Sequence, residues 1–144
     1  MPVSVFFETP EPAWAKGAKK PAARAVALGL GKFSRNQVNL IFTGGPGIKR
    51  LNRRFLGKDR LTDVIAFNLP PAPVPGFPWG EIYVCLPVAR SQAAALGHSP
   101  LTELLVLSLH GALHLAGMDD ATPALRRRMN ERTAALLKKL YPAR

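Results

Sequence analysis

The sequence is poor in the residues that most often carry chemistry: its 144 positions include one cysteine, three histidines and nine acidic side chains. A single thiol excludes an internal disulfide and is expected of a chain kept in a reducing compartment. Cys85 lies in the apolar run Ile82-Tyr83-Val84-Cys85-Leu86 and reads as core filler rather than as a nucleophile. No apolar run approaches the roughly 18 residues of a membrane span. Nor does an N-terminal stretch join a basic region, an apolar centre and a small-residue cleavage site. A cytoplasmic protein without a membrane partner is expected. Both G-x-x-x-x-G-K-[ST] and G-x-G-x-x-G are missing, so Gly44-Gly45-Pro46-Gly47 reads as a plain turn rather than a phosphate cradle.

The shortage of acidic residues leaves a net charge of +11, from 20 Lys and Arg against nine Asp and Glu. Such an imbalance points first to an anionic partner, and among these to nucleic acid. The densest cluster is Lys49, Arg50, Arg53, Arg54, Lys58 and Arg60, six cations within twelve residues. Within it, Arg53, Arg54, Lys58 and Arg60 are the candidates for contacts to nucleic-acid phosphates.

Periodicity predicts four strands and about five helices, and the length predicts a single domain over residues 1–144. Strands are expected at Val3 to Phe7, Gln37 to Thr43, Asp63 to Phe67 and Gly80 to Leu86. A helix is expected from Pro12 to about Leu30, kinked or split at Pro21 and ended by Gly29 and Gly31. The next carries Ile48, Leu51, Phe55 and Leu56 on one side. Five prolines between Asn68 and Pro78 exclude regular structure there and predict a stiff loop or flap. Further helices run from Pro87 to Leu96, from Leu101 to Ala116, and from Thr122, whose hydroxyl can cap the last.

The stretch from Leu101 to Ala116 is apolar nearly all round, which marks a helix buried at the centre of the domain. It nevertheless carries His110 and His114. Four apart on a helix, the two rings leave the same face and can bind one ion together. Gly117 can then turn the chain in the left-handed conformation, returning Met118, Asp119 or Asp120 toward them. Two imidazoles, one carboxylate and an open position make the ligand set of a hydrolytic zinc site. Glu103, seven residues before His110, lies on nearly the same helix face and is a candidate partner for a ligand ring, or else half of a core-edge ion pair. His98 precedes the helix and reads as a loop or surface residue.

His110-Gly111-Ala112-Leu113-His114-Leu115-Ala116-Gly117-Met118-Asp119-Asp120 resembles the H-G-x-L-H-L-x-G-x-D-H signature of the YbeY family of bacterial endoribonucleases, also called rRNA maturation factors. Leu51 to Phe67 is similar to that family's L-N-x-x-[FY]-x-G-K-D-x-x-T-D-V-L-S-F segment, and Gly80 to Cys85 to its G-D-I-x-I-C strand. The resemblance implies a compact α/β domain with a small mixed four-stranded sheet and one zinc ion per chain, held by His110, His114 and Asp120, with Asp119 beside them in an orienting role. It also implies cleavage of single-stranded RNA in ribosomal RNA maturation, at the 16S 3′ end, and in ribosome quality control. Two positions depart from the pattern: Asp120 stands where the family has its third histidine, and Leu56 where it often has an arginine implicated in catalysis. Arg53, Arg54 or Arg60 are the candidates to replace that arginine. A metal-dependent peptidase and a non-catalytic, ribosome-associated zinc protein are the rival readings. Against the peptidase, Gly111 occupies the position where H-E-x-x-H enzymes place their general base.

Overall fold

A computed structural model describes residues 3–58 and 61–141. The chain runs β1 (Val3–Phe7), α1 (Lys19–Leu30), β2 (Val38–Thr43), α2 (Gly45–Leu56), β3 (Val64–Asn68), β4 (Gly80–Cys85), α3 (Leu86–Leu96), α4 (Pro100–Leu115) and α5 (Pro123–Leu140), with single 3-10 turns at Ala13–Ala15 and Gly31–Phe33. The sheet order is β1-β2-β4-β3. β1, β2 and β4 are parallel, and β3 runs antiparallel along the outer side of β4. The expected mixed four-stranded sheet with five helices is the observed one.

Alternation along the strands decides what faces what. Leu40 of β2 pairs with Ile82 of β4, and Phe42 with Val84; all four side chains are fully buried on the face covered by α1 and α4. Asn39, Glu81 and Tyr83 point to the opposite face, which α2 covers only through the small cluster of Ile48, Ile65 and Cys85.

Helix α4 is the centre of the packing, and two glycines let it approach both neighbours. A Cβ at Gly111 would collide with the Ile82 side chain of β4. A Cβ at Gly29 of α1 would lie 2.7 Å from that of Ala112. Ser108, fully buried in the apolar middle of this helix, donates its hydroxyl to the Leu104 carbonyl at 2.7 Å. That bond within the helix satisfies it without a partner elsewhere.

Four expectations need correction. The segment from Pro12 to Leu30 breaks at Lys16 to Ala18, where Gly17 has a φ of +78°, and not at Pro21. Pro21 falls in the first turn of α1, where its missing N–H leaves no bond unmade. Gly29 is interior to α1; Gly31, with a φ of +56°, ends it. The glycines after β2 begin α2 directly, with Gly44 as its N-cap and Pro46 in its first turn. Phe55 and Leu56, expected on the packed side of α2, are 51% and 56% exposed because the last turn of α2 lies beyond the small cluster it covers.

Gly111→Ala should lower the unfolding free energy by about 1–3 kcal/mol, the usual cost of forcing a methyl group into a close-packed core. Urea unfolding followed by circular dichroism checks it. A midpoint unchanged from the parent would show that Ile82 can yield.

Candidate functional site

Both candidate histidines lie in the last two turns of α4, His110 partly buried and His114 exposed. They open on a groove of about 630 Å³ whose far wall is β3, with Phe55, Leu56, Leu69 and Pro70 also lining it. Asp120 lines the same groove. All three residues singled out as a metal set therefore share one cavity.

The turn between them is built from local bonds. The N–H of Met118 donates to the Leu113 carbonyl and that of Gly117 to the His114 carbonyl, each at 3.0 Å. This paired closure needs a left-handed residue at its corner, and Gly117 supplies a φ of +104°. The Asp119 carboxylate then accepts from the backbone N–H of Asp120 at 2.7 Å and of Ala121 at 3.1 Å. Asp119 thus holds the backbone that carries Asp120, and does not itself line the groove. The Thr122 hydroxyl accepts from the Leu125 N–H at 3.1 Å and starts α5, as its sequence position predicts.

Burial lowers the His110 pKa below its ordinary 6.5, while the carboxylates of Asp63 and Asp120 pull the other way. The neutral ring, the form that ligates metals, is favoured. Among the described residues, no three His, Cys, Asp or Glu side chains converge closely enough to hold an ion as they stand.

Asp63 is a site residue that the sequence pattern does not single out. Its Oδ1 accepts from the Val64 N–H at 2.8 Å, its Oδ2 from the Gln92 side chain at 3.3 Å, and its carbonyl from the Cys85 N–H at 2.9 Å. Pinned in this way, it faces both the histidine groove and a neighbouring cleft of about 610 Å³. The resemblance includes Asp63 within its T-D-V triplet, but only the fold shows its charge acting on His110.

Glu103 makes its contact at the edge of the core, with the His98 ring. Its carboxylate, 3% exposed as a residue, meets His98 Nε2 at 2.7 Å. His98 stands in the loop between α3 and α4, as expected, with its ring part-buried in the neighbouring cleft. Burial raises the Glu103 pKa, against the His98 contact that lowers it.

The basic candidates are distributed differently from the histidines. Arg53 and Arg54, joined by Arg50, line a separate cleft of about 460 Å³ beside Tyr83. Lys58 is exposed just past α2, and Arg60 lies outside the described residues. Among the described lining residues of the histidine groove there is no arginine, and Leu56 makes part of its wall apolar.

Because the folded pKa of His110 is depressed, its contribution to stability is present above about 6.5 and lost as pH falls through that value toward the folded pKa. Metal-free protein should therefore lose more stability than His110→Gln between about pH 7.5 and about pH 5.5. Paired urea titrations measure the difference; equal losses would place the protonation elsewhere.

Comparison with known proteins agrees with this architecture. The family described as Endoribonuclease YbeY matches residues 12–141. The Endoribonuclease YbeY of Elusimicrobium minutum is 42% identical over 144 residues, covering 97% of this chain and 100% of that one. That of Chlorobaculum parvum is 37% identical over 123 residues, covering 84% and 85%. The solution structure of TM1509 from Thermotoga maritima superposes with a TM-score of 0.64 at 28% identity, over 96% of this chain and 89% of that one. With a family match over nearly its whole length and a 42% identical relative matched end to end, the chain belongs to the YbeY endoribonuclease family.

Proposed function

We propose that the groove is the active site of a zinc-dependent endoribonuclease specific for single-stranded RNA, acting in the cytoplasm on ribosomal RNA, with the 16S 3′ end as its maturation target. The observation that carries this reading is the shared cavity: two imidazoles from one helix face and one carboxylate from the following turn open on the same walls. The donor chemistry fits zinc, since two nitrogens and one oxygen leave a position open. His110, His114 and Asp120 would hold the ion, which when bound acidifies a water and polarises a phosphoryl oxygen.

The chain's own residues supply the surroundings. Burial keeps His110 neutral, Asp119 fixes the backbone beneath Asp120, and Asp63 places a pinned negative charge beside the first ring. Arg50, Arg53 and Arg54 stand one cleft away, where they can neutralise phosphates flanking the cut. With Asp120 in place of a histidine, the third ligand brings a negative charge, so the bound water should be somewhat less acidic than at an all-imidazole site. A peptidase is disfavoured on packing as well as on sequence. Gly111 lies against Ile82, so the position after the first histidine has no base and no space for one.

Metal analysis of protein purified without a metal column should find one zinc per chain. Cleavage of a single-stranded RNA should stop with chelator, and casein should stay intact. Zinc without cleavage would favour the non-catalytic reading, and casein digestion the peptidase. His110→Ala, His114→Ala and Asp120→Ala should each lose both metal and nuclease activity, whereas Asp120→His keeps zinc. Asp119→Ala should cost less metal, about ten- to a hundred-fold in affinity, because it acts through orientation. Zinc lost from Asp119→Ala but kept by Asp120→Ala would reverse the assignment.

Charge reversal at Arg50, Arg53 and Arg54 should flatten the salt dependence of RNA binding by about 0.7 of a log–log unit for each phosphate no longer neutralised. An unchanged slope would take the strand away from α2.

A further inference from the structure

Three aromatic rings join the histidine groove to the arginine cleft. Phe55 and Phe67 line the groove, and Tyr83 lines the cleft. Phe55 and Phe67 are 4.9 Å apart between centroids and 30° from parallel; Phe67 and Tyr83 are 5.9 Å apart and 22° from parallel. Taking the groove as an RNA-cutting site, we propose that this row walls a single-strand track in which the exposed end ring, Phe55, stacks the base nearest the groove, backed by Phe67 and Tyr83.

The inner two rings have a packing role, since Phe67 and Tyr83 lie against the cluster of Ile48, Ile65 and Cys85. Phe55 is not part of that cluster and is 51% exposed, so covering the core does not account for it. A large exposed ring beside a basic cleft is the combination that binds single strands: bases stack on the ring while cations follow the backbone. The net charge of +11 and the arginines alongside favour RNA over a protein as the occupant.

Arg54 lies over the Phe55 ring, 5.4 Å from its centroid. An exposed cation–π contact is weaker than the stack of a base on an aromatic ring. An arriving base therefore displaces the guanidinium, which remains within reach of the adjoining phosphate. Tyr83 continues the row as a neutral phenol: burial, and then the charge of Glu81, push its pKa up to about 12, and its hydroxyl donates to Glu81 at 3.2 Å. The track would grip unpaired bases through their faces and hence with little sequence preference.

The test measures binding of the full chain to a single-stranded RNA carrying 2-aminopurine, with chelator present to prevent cleavage. Phe55→Ala and Phe55→Leu should weaken binding by roughly five- to 150-fold, the range expected for removing one base stack. Phe55→Trp should retain affinity and quench the 2-aminopurine as the parent does. One abasic position should weaken the parent by a similar factor and leave Phe55→Ala unaffected. In cleavage assays with metal, Phe55→Ala should raise KM and leave kcat near the parent's. Parent-like binding by Phe55→Leu, or no cost from any abasic position, would overturn the track while leaving the nuclease reading intact. A parent protein that neither binds nor cuts any single strand would overturn both.

Discussion

The approach of α4 to its two neighbours is the constraint on which the rest of the structure depends. Gly111 brings the helix onto Ile82 of β4, and Gly29 brings α1 onto Ala112. With both contacts made, the helix is enclosed for most of its length, and Leu104, Leu105, Leu107 and Leu109 are all but fully buried. Its last turns run alongside edge strand β3, and there the two histidines open into a groove. The position of the rings thus follows from the packing of Gly111 and Ala112, which lie between them in the chain. It also explains why the first of them is half-desolvated while the second stands in solvent.

Charge is sorted around that groove. Asp63 and Asp120 act on His110, and Glu103 is matched with His98 in the adjoining cleft. The arginines of α2 collect beside Tyr83 instead, in a separate cleft. On the proposed reading the arrangement is sensible. A divalent ion is attracted to carboxylates and repelled by cations, whereas the polyanion it acts on needs the cations close by but not in the same cavity. The aromatic row connects the two environments without adding charge to either.

Local chemistry made much of the fold legible. Val3–Phe7 and Val38–Thr43 are β-rich runs bounded by turn residues, and the Thr122 cap and Gly117 corner are determined within a few residues of chain. The shared groove of His110 and His114, on which the proposed metal set rests, was legible through i,i+4 geometry. The choice of Asp120 over Asp119 came from the resemblance, and the bonds from Asp119 to the next two N–H groups show how the neighbour is otherwise engaged. The misread positions share a cause. Gly29 looks like a helix stop because glycine is a poor helix former, and the reason it sits inside α1 is a residue more than eighty positions away. Phe55 has the spacing of a packed residue, but spacing cannot reveal that the helix extends beyond the cluster it covers.

By itself, then, the sequence determined the element types, the basic surface and the pairing of His110 with His114, because periodicity, caps and i,i+4 neighbours depend on backbone geometry over a turn or two. Tertiary structure alone decided that Asp63 would face the first ring and that the arginines would occupy a cleft apart from the histidines. Those relations join β3 to α4 and α2 to β4, and they depend on how closely the layers approach. That distance is fixed where Gly111 meets Ile82, by two surfaces whose fit neither segment carries alone.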